Sequence, residues 1–320
     1  MNRALSPKFM NDLQEGMLQP LLERVRKDDT LMLAIRENYI NVYYRGGNII
    51  KLEEICPNKY MASFDGNYAG DRPERLSKNL PRRIDSKGCI EPWIESIPAR
   101  KEVMDFWFHE HPKDEREFQQ LVARENNVSG GANESEYFIS DIELTNSEIG
   151  ARFDMLAFKW PAEDRKSGKI QLALVEMKYR DSALSGESGI VEHFKQMSAY
   201  LAKGENRASL AGMAEEQINQ LNSLALIRHT KGVSRKFEVD DKRFEIIFLF
   251  ANSNPRSSKL SNELKGLKEL LNGTAEKNFD LRFFVANSAG YAMHIACMMD
   301  FCQYNTFLNR SQPCDSSQGY

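Results

Sequence analysis

Apolar positions change their spacing several times along the chain, and each change marks an element. Phe9, Met10, Leu13, Met17, Leu18, Leu21, Leu22 and Val25 recur at helical spacing and predict an amphipathic helix over 7–27. From 31 to 65 the runs LMLAI, YINVYY, NIIKL and KYMASF are short and rich in β-branched or aromatic residues, which predicts an antiparallel meander. Arg45-Gly46-Gly47-Asn48 separates two of these runs, and a Gly-Gly pair is a hairpin signal. Residues 66–97, with many Gly, Pro, Arg and Asp, read as irregular, and 99–126 as helix broken near Pro112.

YFISDIEL (137–144), ARFDMLAFKW (151–160) and KIQLALVEMKYR (169–180) predict three strands. The loop DSALSGESG (181–189) leads into a helix through VEHFKQMSAYLAKG, and a second helix is expected over 211–228. FEIIFLFAN (244–252) and LRFFVAN (281–287) are continuous apolar runs, the pattern of buried central parallel strands, with a helix at 261–272 between them. Residues 291–304 form a last apolar segment of undecided type, and 310–320 read as a frayed tail. The expected fold is α/β. Its mixed central sheet, with strands near 137–144, 151–158, 170–178, 245–251 and 281–286, carries helices on both sides and follows an antiparallel β-rich N-terminal region.

Composition narrows the class. With 41% hydrophobic and 28% charged residues among 320, collagen-like and wholly disordered chains are excluded. Lys and Arg number 43 against 46 Asp and Glu, so any nucleic-acid surface must be a local patch. Two such patches are the basic stretch 72–87 (Arg72, Arg75, Lys78, Arg82, Arg83, Lys87) and Lys231, Arg235 and Lys236; either also reads as a solvated loop. The chain has no apolar run of membrane-spanning length, and its N-terminus lacks the apolar core of a secretion signal. The five scattered cysteines suit reduced thiols, so a cytoplasmic location is expected. Neither a phosphate-cradling Walker pattern nor a dinucleotide fingerprint is present, and use of ATP or NAD is not expected.

The chemistry concentrates on one hairpin. Its turn centres near Arg165, midway between Asp154 and Glu176, so a symmetric antiparallel pairing sets these two carboxylates opposite each other on one face. Lys178, two residues on, shares that face. The row Ile170, Leu172, Leu174 turns polar at Glu176 and Lys178, as its partner row Phe158, Leu156 does at Asp154. Facing carboxylates repel, and a cation must offset them: Lys178 in part, a hard divalent ion more fully. A surface ion-pair cluster on a hairpin end is the plain alternative.

Gly150-Ala151-Arg152-Phe153-Asp154 followed by Val175-Glu176-Met177-Lys178 resembles the PD-(D/E)XK nuclease superfamily, in which a strand-borne Asp precedes a Glu-x-Lys strand. The proline of the name is absent, since Phe153 precedes Asp154. Gln196-Met197-Ser198-Ala199-Tyr200 matches the Gln-x-x-x-Tyr helix of the RecB-like branch. The resemblance covers about 115–290. It implies a restriction-endonuclease-like core over 101–310; residues 1–100 fall outside it and either recognise substrate, bind a partner or pack on that core, and 311–320 form a tail. It further implies hydrolysis of phosphodiester bonds, most naturally in DNA, with Mg²⁺ (Mn²⁺ as substitute) held by Asp154, Glu176 and the Met177 carbonyl. Lys178 would orient or deprotonate the attacking water, and Gln196 and Tyr200 would face the site. An upstream helix would add a Glu, with Glu115 favoured and Glu125 next. Defence or repair roles and a homodimer that cuts both strands follow by the same analogy. The alternatives are a nuclease-fold binding or assembly module without turnover, and a hydrolase acting on RNA or another phosphoester.

Three further features carry both a bland and a functional reading. His109-Glu110-His111 has ligand types, but on a helix these side chains diverge. His193 shares a helix face with Gln196 and either sits near the site or, as the plainer expectation, makes a helix-surface contact. Asp141 and Glu143 share a strand face and either join the acidic cluster or, as the plainer expectation, lie exposed to solvent.

Overall fold

The computed structural model describes residues 2–70, 80–128, 135–146, 151–229, 236–272, 278–286 and 290–310. Outside them lie Arg72, Arg75 and Lys78 of the basic stretch, Lys231 and Arg235, and the tail at 311–320.

The N-terminal helix expected over 7–27 is two helices, α1 (Pro7–Gln14) and α2 (Gln19–Lys27). At Gly16 a side chain would meet the Asp12 Cα at 2.6 Å, so only glycine passes this corner, and Pro20 then opens α2 in its first turn, where its missing N–H costs nothing. The meander forms as expected. Strands β1 (Leu31–Ile35), β2 (Tyr39–Tyr44), β3 (Gly47–Cys56), β4 (Lys59–Ser63) and β5 (Arg83–Ile84) pair antiparallel in sequence order. Arg45 and Gly46 turn between β2 and β3 with φ of 50° and 73°, the conformation of a tight hairpin turn. Part of 66–97 is not irregular: besides β5 it holds α3 (Lys87–Glu95). Helices α4 (Ile97–Glu110) and α5 (Asp114–Asn127) then flank Pro112, where the break was expected.

The second sheet has the order β10-β9-β8-β7-β6. Strands β6 (Tyr137–Asn146), β7 (Ala151–Lys159) and β8 (Lys169–Tyr179) form an antiparallel meander. Helices α6 (Ile190–Ala202) and α7 (Gly204–Ser223) cross over to β9 (Glu238–Ala251), which runs parallel to β8. After α8 (Ser258–Asn272), β10 (Phe279–Val285) adds parallel to β9. Only β9 is the internal parallel strand expected of both apolar runs. β10 lies at the end of the sheet order, touched on its far side by a single bridge between Phe283 and Met299, just before α9 (Phe301–Arg310). The helices that cover its aromatic residues, rather than further strands, account for its apolar sequence.

Alternation gives this sheet two apolar faces. Leu156, Phe158, Leu172, Leu174, Ile246 and Phe248 pack under α6 and α7, through Phe194, Met197 and Ile218 among others. Met155, Ala157, Val175 and Ile247 pack under α5, through Val122 and Ala123, and reach Ala34 and Tyr43 of the first sheet. The mixed sheet therefore carries helices on both sides. The described residues of the N-terminal region share these cores and are stitched on by polar contacts as well. Leu5 and Gln220 exchange two hydrogen bonds of 2.9 Å. Asp141, expected at the solvent face, is fully buried: it pairs with Arg36 of the β1–β2 turn, Arg3 (3.3 Å) and Gln217 of α7 (3.4 Å). A register shift between Ile139 and Asp141 changes the side to which this stretch of β6 points. Among the described residues no helix is long and apolar enough to cross a membrane.

Candidate active site

The ladder between β7 and β8 pairs Met155 with Val175 and Leu156 with Leu174. One step further along the same register, Asp154 faces Glu176, as the symmetric hairpin requires. The ladder stops here because Asp154 takes over a backbone partner: the Met177 N–H donates to Asp154 Oδ2 at 2.8 Å. Lys178 Nζ donates to Glu176 Oε1 at 2.8 Å and to the Ser188 carbonyl at 2.6 Å, and it lies 3.4 Å from His193 Nδ1. His193 Nδ1 also contacts Glu176 Oε1, so this histidine belongs to the cluster and not to the outer helix surface. Asp154, Glu176 and Lys178 are only 9%, 3% and 1% exposed. A surface ion-pair cluster is thereby excluded; these charges are built into the sheet.

Burial has opposite consequences for the two acids. Burial first, then the charges of Glu176 and Glu115, holds the Asp154 carboxyl well above the usual carboxylate range. Burial acts on Glu176 in the same direction, but the hydrogen bond from His193 and the Lys178 ammonium outweigh it and keep Glu176 below its ordinary value. The site thus pairs a carboxylate that is fully compensated with one that is not.

Glu115 stands in the first turn of α5, at the mouth of an open cleft of about 630 Å³ that also touches Gln119, Arg152, Tyr179, Arg180 and Ser188. Desolvation by the cleft wall, then the charge of Glu176, pushes the Glu115 carboxyl upward. Glu125 instead pairs with Arg124 at 2.7 Å. Glu115, the favoured upstream candidate, is thus drawn into the electrostatics of the cluster. Glu115→Gln is expected to lower turnover roughly 10- to 100-fold, and Glu125→Gln to leave it within about twofold, in a steady-state cleavage assay.

The donor set suits a hard, water-rich cation. Among the described residues no three His, Cys, Asp or Glu side chains are arranged to hold a metal by themselves, as a zinc site would require. Magnesium needs only one or two carboxylates and keeps most of its water. Asp154 and Glu176 each spend one oxygen on the contacts above, which leaves a second oxygen each. In an extended strand one residue's N–H and C=O leave on the same side, so the Met177 carbonyl shares the Asp154 side of β8.

The remaining expected site residues lie further out. Tyr200 is buried, with its ring edge-on to Phe153 at 5.1 Å, so it supports the residue before Asp154; Gln196, one turn earlier, is exposed. His111 stacks on Trp107 at 4.5 Å and does not join His109 in a ligand pair. Glu143, half-buried, pairs with Arg116 and Arg152 at the cleft rim. Sequence reasoning missed the cleft itself, because Gln119, Arg152 and Arg180 come from three elements and share no spacing. Comparison of the chain with models of known protein families, with curated proteins and with solved structures finds no match.

Proposed function

We propose that this chain is a divalent-metal-dependent nuclease that hydrolyses phosphodiester bonds, in DNA first of all. One observation carries the reading: two buried carboxylates and a buried ammonium converge at the end of an otherwise apolar sheet face, beside an open cleft. A stable scaffold gains nothing from such a pair, since apolar side chains would fill the place at lower cost. Uncatalysed phosphodiester hydrolysis is extremely slow, and a rigid array of charges is what its transition state requires. A Mg²⁺ ion bound here would supply Lewis acidity and acidify a coordinated water. Asp154 and Glu176 would hold it through their second oxygens, with the Met177 carbonyl as a further donor. Lys178, fixed by Glu176 and Ser188, would orient the attacking water and offset phosphate charge. His193 would keep Glu176 ionised and in place. Defence or repair is the cellular setting that the family resemblance suggests.

Magnesium titrated into plasmid, linear duplex, single-stranded DNA and RNA tests this reading. Cleavage of the DNAs that rises with Mg²⁺ is expected. Cleavage of RNA alone would move the substrate class, and no cleavage of any substrate would contradict the proposal. A second reading, a binding module without turnover, draws on the fact that Lys178 and His193 already satisfy one oxygen of Glu176 without a metal. Melting curves separate the two. A bound cation should raise the melting temperature of the wild type by several degrees at saturating Mg²⁺, and a purely salt-bridged cluster should not respond.

A further inference from the structure

We infer that the cleft beside the acid cluster receives one unpaired nucleic-acid strand, with its phosphates on Arg116, Arg152 and Arg180 and a base on the platform formed by Arg180 and Tyr179. The inference rests on the nuclease reading for the choice of polyanion. Its own support comes from the cleft wall.

Three arginines, from α5, from the start of β7 and from the residue just after β8, meet at this rim. Each is held by a carboxylate that is itself partly exposed: Arg116 and Arg152 by Glu143 (2.6 and 3.2 Å), Arg180 by Asp114 (3.3 Å). Ion pairs of this kind are weak in water, so a phosphate can replace the carboxylate at little cost. Their present partners keep the guanidinium groups oriented toward the cleft.

Arg180 is placed there against backbone preference. Its φ of 61° with ψ of 172° lies in a region that suits glycine, and its neighbour across the rim, Glu143, also has a positive φ of 52°. In this conformation the Arg180 guanidinium lies over the Tyr179 ring, 4.9 Å from its centre, and Tyr179 in turn rests on Phe118 at 4.6 Å. A planar cation laid on a braced aromatic ring is a surface on which a base stacks.

The cleft wall adds a polar demand. Gln119 is 2% exposed, and its Oε1 is buried without a hydrogen-bond partner among the described residues. An acceptor left in that state is costly unless an N–H arrives to meet it. The exocyclic amine of a base is such a donor; in an unpaired base both of its N–H groups are free, whereas pairing engages one of them. The cleft, at about 630 Å³, is of a size to take a nucleotide or two.

Fluorescence anisotropy tests this without turnover, with Asp154→Asn protein in Ca²⁺ buffer and a labelled mixed-sequence oligonucleotide of about 20 nucleotides, alone or as a blunt duplex. The single strand should bind at least about tenfold more tightly than the duplex. Arg152→Ala and Arg180→Gly should each weaken single-strand binding about five- to tenfold, and each should reduce the slope of log affinity against log salt by about 0.7. Arg180→Gly should melt no lower than its parent, because glycine accepts the positive φ. Gln119→Leu should reduce the preference for single strand over duplex. Equal or tighter duplex binding, unaltered binding by both arginine variants, or binding of neither oligonucleotide overturns the inference. Wild-type protein assayed in parallel with Mg²⁺ keeps the two failures apart. Strand binding without cleavage contradicts the nuclease reading alone, and cleavage with unaltered arginine variants contradicts the cleft assignment alone.

Discussion

Asp154→Asn is expected to abolish DNA cleavage, by roughly a thousandfold or more, and at the same time to make the protein more stable. The activity loss follows because Asp154 supplies one of the two carboxylates that face each other across β7 and β8. The stability gain follows from the sign of its proton equilibrium. The folded state holds the Asp154 carboxyl above its unfolded value, through burial and then repulsion from Glu176 and Glu115. Its contribution to stability is therefore complete below the ordinary carboxylate range and lost as pH rises through the raised value, so at higher pH Asp154 works against folding. Asparagine carries no such charge and still accepts the Met177 N–H. Urea titration should place the variant about 1 kcal/mol above wild type at pH 7.5, with the difference vanishing toward acid pH. Lys178→Ala should lose a comparable share of activity, about 10²- to 10⁴-fold, but it should destabilise, since it removes the ammonium that compensates buried Glu176. Two inactive variants with opposite effects on stability would be hard to obtain from a merely structural cluster. A fully active Asp154→Asn protein would remove the assignment.

Asp141→Ala is expected to be the most destabilising single substitution away from the apolar core, at about 3–5 kcal/mol by urea unfolding. Asp141 is fully buried, and its carboxylate is shared by Arg36 and Arg3 of the N-terminal region and by Gln217 of α7. Arg36 is 4% exposed and donates further to the Ile35 and Ile142 carbonyls and to the Tyr43 hydroxyl. Its guanidinium cannot turn out to water when the carboxylate is removed, so a buried cation is left uncompensated. Replacing Arg36 and Asp141 together by leucines should cost less than the sum of the two single changes. A loss below about 1 kcal/mol for Asp141→Ala would mean that the N-terminal region is held by its apolar contacts alone.

These two acids show what the sequence carries and what it leaves out. Asp154 was legible because everything that places it is local: a short turn, alternating apolar rows that end together, and a register fixed by symmetry. Asp141 was misread because what buries it is not local. Its main partner, Arg36, lies 105 residues away, and a register shift in β6 breaks the alternation on which facing was judged. His193 fell between these cases. Its helix face was visible, but its approach to Glu176 depends on how α6 docks over the sheet. The apolar run of β10 reads the same whether strands or helices cover it, so its place beside a single bridge could not be told from composition. Within 7–27 the periodicity survives the corner at Gly16, because α1 and α2 both turn their apolar sides to one core.

The claim on which the rest depends is that Asp154 and Glu176 together form a binding place for a divalent ion. Manganese titrated into the wild-type protein and into Asp154→Asn, with free Mn²⁺ followed by electron paramagnetic resonance, tests it most directly. One Mn²⁺ taken up per wild-type chain, displaced by Mg²⁺ and lost or greatly weakened in the variant, is the expected result. Equal uptake by both proteins, or none by the wild type, would contradict it.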